Sequence, residues 1–149
     1  MFSLTVEYAF RAIVTLASRN GLSATAKDIA TVTQSPANYV SKVMQTLVEG
    51  KLVTARRGPN GGFQLARPPE QITLLDVVNA VDPIQRVRTC PLNLPEHSKK
   101  LCPLHQVLDD TLANIETSLA AHSIAQLMTQ PPAAITPFQL TISAKKSRT

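Results

Sequence analysis

The stretch Ala55-Arg56-Arg57-Gly58-Pro59-Asn60-Gly61-Gly62-Phe63-Gln64-Leu65-Ala66-Arg67-Pro68-Pro69 decides the fold. Two short alternating segments, Leu52-Val53-Thr54-Ala55 and Phe63-Gln64-Leu65, lie on either side of a Gly/Pro/Asn turn. Alternation around such a cluster predicts a β-hairpin. Arg56, Arg57 and Asn60 stand near its tip, where Gly58, Gly61 and Gly62 permit positive φ and close backbone approach. Arg57 and Asn60 suit a minor groove or a phosphate clamp, the plain alternative being solvated turn residues. A basic hairpin directly after two helices is the wing of a DNA-reading domain.

The residues upstream supply those helices. Residues 4–19 place Val6, Ala9, Phe10, Ile13, Leu16 and Ala17 at the spacing of one buried helical face. Ser3 or Thr5 suits the cap, Asn20-Gly21 the stop. Glu7, four residues before Arg11, fits a favourable dipole position and an i,i+4 ion pair. Thr25-Ala26-Lys27-Asp28 resembles a capping box opening a short helix to about Val32. Gln34-Ser35-Pro36 then makes a turn, with Ser35 suited to the N-cap and Pro36 to the first helical position. A second helix follows to Glu49, with Gly50 as its C′ residue. It buries Val40, Val43, Met44 and Leu47 and shows Asn38, Ser41, Lys42 and Gln45 on the other side. With Tyr39, these make a candidate recognition helix for the major groove; the alternative is a solvated helix face. The order helix, turn, helix, basic wing favours DNA.

Charge follows the same division. Residues 1–70 hold eight Lys/Arg against four Asp/Glu, a net +4, and residues 71–128 hold four against six, a net −2. The basic excess lies with the hairpin, where a polyanion would bind. No apolar run approaches the roughly 18 residues of a membrane span, and the N-terminus lacks a signal-peptide layout. No membrane association and a cytoplasmic location are therefore expected. Two cysteines in a reducing compartment argue against a disulfide framework.

Beyond Pro68-Pro69, Thr73-Leu74-Leu75-Asp76 repeats the capping pattern and opens a helix to about Val81, with Leu74, Val77, Val78 and Val81 inward. Asp82-Pro83 closes it. Prolines at 83, 91, 95 and 103 predict a loop to Pro103. A long helix is predicted from about Leu104 to Met128, with Leu104, Leu108, Leu112, Ile115 and Leu119 near heptad spacing. So long a seam packs most simply on the same helix of a second subunit, giving a homodimer with two wings on a pseudo-palindromic duplex. Packing back onto the first helix is the rival explanation, and both arrangements are compatible. The expected architecture is mainly α with a small β-hairpin. A winged helix-turn-helix domain spans residues 1–82, a cysteine-containing sensor loop 83–103, a dimerisation helix 104–128 and a disordered basic tail 129–149.

Chemistry, if any, lies in Cys90-x11-Cys102-x2-His105. Two soft ligands and an imidazole in a proline-rich loop suit zinc or an iron–sulfur cluster, although such a trio has an innocent explanation as readily.

The pattern Leu4-Thr5…Glu7-Tyr8-Ala9, Ser35-Pro36…Tyr39-Val40 and, above all, Arg57 through Pro69 followed by Ile72-Thr73-Leu74-Leu75-Asp76-Val77-Val78 resembles the Rrf2 family. That family of winged helix-turn-helix regulators includes the iron–sulfur regulator IscR and the nitric-oxide-sensing repressor NsrR. The likeness covers residues 1–128. It implies a DNA-binding regulator, expected to be a repressor, switched by a cluster that senses redox, nitric oxide or iron–sulfur status. Cluster-sensing members carry three cysteines spaced C-x5-C-x5-C, in some cases with a histidine three residues after the last. Here Cys90 and Cys102 hold the outer places, His105 the histidine place, and Glu96 the middle one. That departure disfavours a 4Fe–4S cluster on three cysteines and leaves a 2Fe–2S centre on Cys90, Cys102 and two other groups. Glu7 matches the place from which some members lend a carboxylate across the dimer; His105, Glu96 and His97 compete for the remaining site. The main alternative is a cluster-free thiol redox regulator. A redox enzyme or electron carrier lacks any nucleotide motif or catalytic triad in its favour, so no enzymatic activity is expected. A winged-helix protein adaptor would show no salt-dependent duplex binding.

Overall fold

The computed structural model describes residues 2–92, 94–95 and 100–129. Helix α1 (Leu4–Ala17) lies against α2 (Ala26–Thr33) and α3 (Ala37–Glu49). Val6, Ala9, Ile13 and Leu16 are buried as their spacing requires, and Ala12 and Thr15 widen the face. The helix ends two residues short of the expected stop, because Arg19 and Asn20 donate to carbonyls only three residues back. Asn20 and Gly21 then take the left-handed conformation that turns the chain.

The capping box of α2 is formed: the Thr25 hydroxyl accepts from the Asp28 amide and the Asp28 carboxylate accepts from the Thr25 amide. The expected cap of α3 is not. Ser35 belongs to the end of α2, donating its amide to the Ala30 carbonyl and its hydroxyl to the Thr33 carbonyl. Pro36 is therefore the N-cap, and no side chain caps α3. Its other end also differs from expectation. Gly50 has φ −71, and Lys51, at φ 58, is the left-handed residue. Leu52 and Lys51 donate to the Leu47 and Val48 carbonyls, which is Schellman geometry. Gly50 is small for a different reason: a Cβ there would lie 2.8 Å from the Ala80 Cβ.

The hairpin consists of β1 (Val53–Arg56) and β2 (Gly62–Leu65), antiparallel, with Val53 opposite Leu65 and Arg56 opposite Gly62. Its outer edge is partly covered, since Phe63 exchanges both backbone hydrogen bonds with Ala24. Gly62 sits at φ +136 with the Ala24 carbonyl 2.7 Å from where a Cβ would stand, so only glycine lets the wing lie this close.

A single 3-10 turn (Pro69–Gln71) leads to α4 (Leu74–Val81), opened by the predicted Thr73/Asp76 capping box. Val77 and Val78 are buried, and Leu74 and Val81 pack against the core as half-buried residues. The long helix expected from Leu104 to Met128 is two helices, α5 (Pro103–Ala120) and α6 (Ile124–Thr129). Ser123 and Gln126 form a reciprocal side-chain-to-amide pair that starts α6. The break docks on the winged domain: Leu74 donates to the His122 carbonyl, Ile124 donates to the Ile72 carbonyl, and the Ile124 side chain is fully buried. One core thus runs from α1 to α4, through the wing, to Ile124. The tail from residue 130, with Glu96 and His97, lies outside the described residues. Among the described residues no helix is long and apolar enough to cross a membrane.

Candidate nucleic-acid interface and cysteine loop

Helix α3 and the hairpin present their polar groups outward. Asn38, Lys42 and Gln45 are exposed on α3, and Arg56, Arg57 and Asn60 are exposed on the wing. Two further expected contact residues are half-buried and have partners within the chain. Ser41 is half-buried and donates its hydroxyl to the Ala37 carbonyl. Tyr39 turns toward α1, its hydroxyl bonded to that of Thr5 and its ring edge-on to Tyr8 at 5.1 Å between centroids. It braces the angle between α1 and α3. With no side-chain cap, the Ala37 and Asn38 amides of α3 remain donors suited to a phosphate.

The wing tip is anchored from below. Ser23 donates its hydroxyl to the Asn60 and Gly61 carbonyls, and Gln64 donates its amide to the Gly21 carbonyl at 2.6 Å. Ser23 and Gln64 therefore support the site although neither looked functional in sequence. Ser23 is signalled only by its nearness to the turn at Gly21, and Gln64, 43 residues from Gly21, by no local pattern.

At the end of the cysteine loop, Cys102 is the N-cap residue of α5 and its Sγ lies 3.2 Å from His105 Nδ1. Cys90 is buried, and both cysteines are thiols. Glu7 is exposed on the first turn of α1, and the ion pair expected with Arg11 does not form; the Arg11 guanidinium donates to the Thr33 carbonyl instead. Among the described residues no three His, Cys, Asp or Glu side chains gather as a metal-holding group within one subunit. The chain thus brings Cys102 and His105 together and leaves Glu7 apart on another helix.

An ionic cluster fixes the base of this loop. Arg86 donates from Nε and Nη2 to the two Asp109 oxygens at 2.7 and 2.6 Å, and from Nη1 to Glu116 at 2.9 Å. Asp109 also accepts the Val87 amide at 2.9 Å. The Arg86 hydrogen bonds, opposed by partial burial, hold the Asp109 carboxyl below its ordinary range; the same bonds raise Arg86. One face of α5 is open: Leu104, Val107, Leu108 and Ile115 form an exposed apolar stripe.

The family model Rrf2, described as an iron-dependent transcriptional regulator, matches residues 2–130. An HTH-type transcriptional regulator of Aquifex aeolicus is 28% identical over 131 residues, covering 86% of this chain and 91% of the relative. Among solved structures, T. potens IscR matches with a TM-score of 0.71 at 21% identity, covering 91% of each chain. CymR, the global cysteine regulator of B. subtilis, matches with a TM-score of 0.68 at 21% identity, covering 85% of this chain and 95% of the other. These two likenesses concern the fold, and both are to chains with the helical, hairpin-bearing architecture described above.

Proposed function

The chain belongs to the Rrf2 family of iron-dependent transcriptional regulators, a family of regulators and not of enzymes, and from that premise we propose that it is a homodimeric, sequence-specific repressor controlled at its cysteine loop. It acts in the cytoplasm on a pseudo-palindromic duplex. The carrying observation is the shared outward exposure of Asn38 and Lys42 on α3 and of Arg56, Arg57 and Asn60 on the wing. In this reading the first turns of α3 enter the major groove, its open amides meet a phosphate, and the wing arginines clamp the flanking backbone. The apolar stripe of α5 meets its copy in the second subunit, which sets the spacing of the two reading heads.

The donors of the loop fit a 2Fe–2S centre and do not fit a four-iron cluster on three cysteines, because the whole chain has two thiols. Cys90 and Cys102 would bind as thiolates and His105 through its imidazole, with Glu7 of a second copy as the fourth group. Such a centre supplies one-electron redox chemistry when bound. Cys102 and His105 already converge.

One observation favours a second reading. The Cys102–His105 contact needs no metal, so the same residues suit a thiol switch in which peroxide joins Cys90 and Cys102 as a disulfide and is itself reduced to water. Protein purified without oxygen separates the two. Equal iron and acid-labile sulfide with a visible absorption spectrum supports the centre; neither iron nor sulfide, with duplex binding intact, leaves the thiol switch. For the DNA-binding reading, affinity should fall steeply with salt, and Lys42→Ala and Arg57→Ala should each weaken binding. Unchanged affinity in both variants would sink the docking mode.

A further inference from the structure

We propose that Tyr39 is a positioning residue for base recognition: held by Thr5 and Tyr8 of α1, it sets the rotation of the N-terminal half of α3, which carries Asn38 and Lys42. The inference deepens the DNA-binding reading given above and rests on it.

The two helix starts concerned are alike in lacking a cap. Helices α2 and α4 open with complete capping boxes, whereas Ser3 before α1 and Pro36 before α3 give their helices no side-chain acceptor. The Ser3 hydroxyl oxygen is buried without a hydrogen-bond partner. An uncapped first turn is the part of a helix most ready to fray. Here the two open starts are tied to each other, through the hydroxyls of Thr5 on α1 and Tyr39 on α3. Thr5 is available for this because of where it stands. Thr15, Thr31 and Thr46, farther along their helices, each donate to the carbonyl four residues back. At the second position of α1 no helical carbonyl lies there.

The tie is directional where the rest of the contact is not. Ala9, Ile13, Val40 and Val43 belong to the common apolar core, whose contacts have no preferred direction. Tyr39 instead meets α1 at two points. Its hydroxyl bonds Thr5, and its ring lies edge-on to Tyr8, with 5.1 Å between centroids and 63° between planes. Thr5 and Tyr8 are three residues apart and so are neighbours on one side of α1. Two anchors on one stiff side chain resist rotation of α3 about its axis. Among the described residues, Thr5–Tyr39 is the one side-chain hydrogen bond joining these two helices. Asn38 directly precedes Tyr39 and is exposed, so a turn of α3 displaces it from a base edge. Base contacts carry sequence information and phosphate contacts do not, so the tie governs discrimination between duplexes more than overall affinity.

The full-length wild-type protein is used to select a preferred duplex from a randomised pool, and binding is compared with an unrelated duplex of equal length. Tyr39→Phe, which keeps the ring against Tyr8, should lower the ratio of the two affinities about tenfold. Thr5→Val should do the same, and the double variant should lose no more than either, because the same hydrogen bond is removed each time. Affinity for the unrelated duplex and its salt dependence should stay within about twofold, which also reports that the variants fold. An unchanged ratio in Tyr39→Phe would overturn the proposal. So would a loss in Tyr39→Phe with none in Thr5→Val, which would put the Tyr39 hydroxyl on the DNA itself. An equal fall in both affinities, the mark of a general loosening, would overturn it too. If the wild-type protein prefers no duplex, the functional reading falls and takes this proposal with it. That failure is seen before any variant is compared, so the two are distinguishable.

Discussion

Residues 4–81 are held by apolar burial, with α1 to α4 and the hairpin sharing one core, whereas α5 buries a single side chain and that side chain is a carboxylate. The first region is fixed by many small, direction-free contacts. The second is fixed by a few directional polar links: the Arg86 cluster at its middle and the His122 and Ile124 backbone bonds just past its end. The winged region and α5, a head and an arm, are thus held by different means. Losing one link in the arm alters its position, while losing one side chain in the head costs stability.

Substitutions at matched places sharpen that contrast. The largest effect belongs to Leu47→Ala: the side chain is fully buried, and unfolding in urea should show a loss of about 2–5 kcal/mol. A loss below about 1 kcal/mol would mean that the head is not held by its core. Next comes Gly62→Ala, which meets both the positive φ and the Ala24 carbonyl; about 1–3 kcal/mol should be lost, and duplex affinity should fall with the displaced wing. Thr73→Ala removes half of the α4 capping box and should cost about 1 kcal/mol, read in the same titration.

The smallest effect is expected from pH, through the arm. Asp109, facing Arg86 and Arg88 with Glu116 beside it, has its carboxyl lowered in the folded chain. Its contribution is present above the ordinary carboxylate value of about 4 and is lost as pH falls through the lower folded value. Amide exchange in α5 should therefore be flat from about pH 5 to about pH 8 and quicken on the acid side once the intrinsic rate is removed. Asp109→Asn should abolish that acid-side slope. A slope near neutrality would contradict the assignment of the arm to this pair.

Much of the head was legible from local chemistry. Thr25/Asp28 and Thr73/Asp76 announced two helix starts, and the Gly/Pro/Asn cluster announced the hairpin. What was misread involved competition between neighbours. Ser35 suited the cap of α3 but was claimed by the end of α2. Gly50 suited a left-handed cap, yet its smallness answers to Ala80, thirty positions on, which no local pattern reveals. The break between α5 and α6 was readable as Ser123-x-x-Gln126 and was hidden by the apolar spacing continuing through Ile124. Of the candidate site, exposure of Asn38, Lys42 and the wing arginines agrees with the sequence, while Tyr39 faces α1. The Arg86 cluster left no mark because its members are 23 and 30 residues apart.

The docking of the α5–α6 break has a mechanical consequence. Helix α5 is about 27 Å of stiff rod at 1.5 Å per residue. It is clamped near its midpoint at Asp109, and the chain just past its far end is stitched to Ile72 and Leu74. The end carrying Cys102 overhangs as a cantilever. Force applied at that tip becomes a torque about the clamp, and the stitched end delivers it at the first residue of α4. Because Ala80 of α4 lies against Gly50 at the end of α3, that torque has a short solid path to α3.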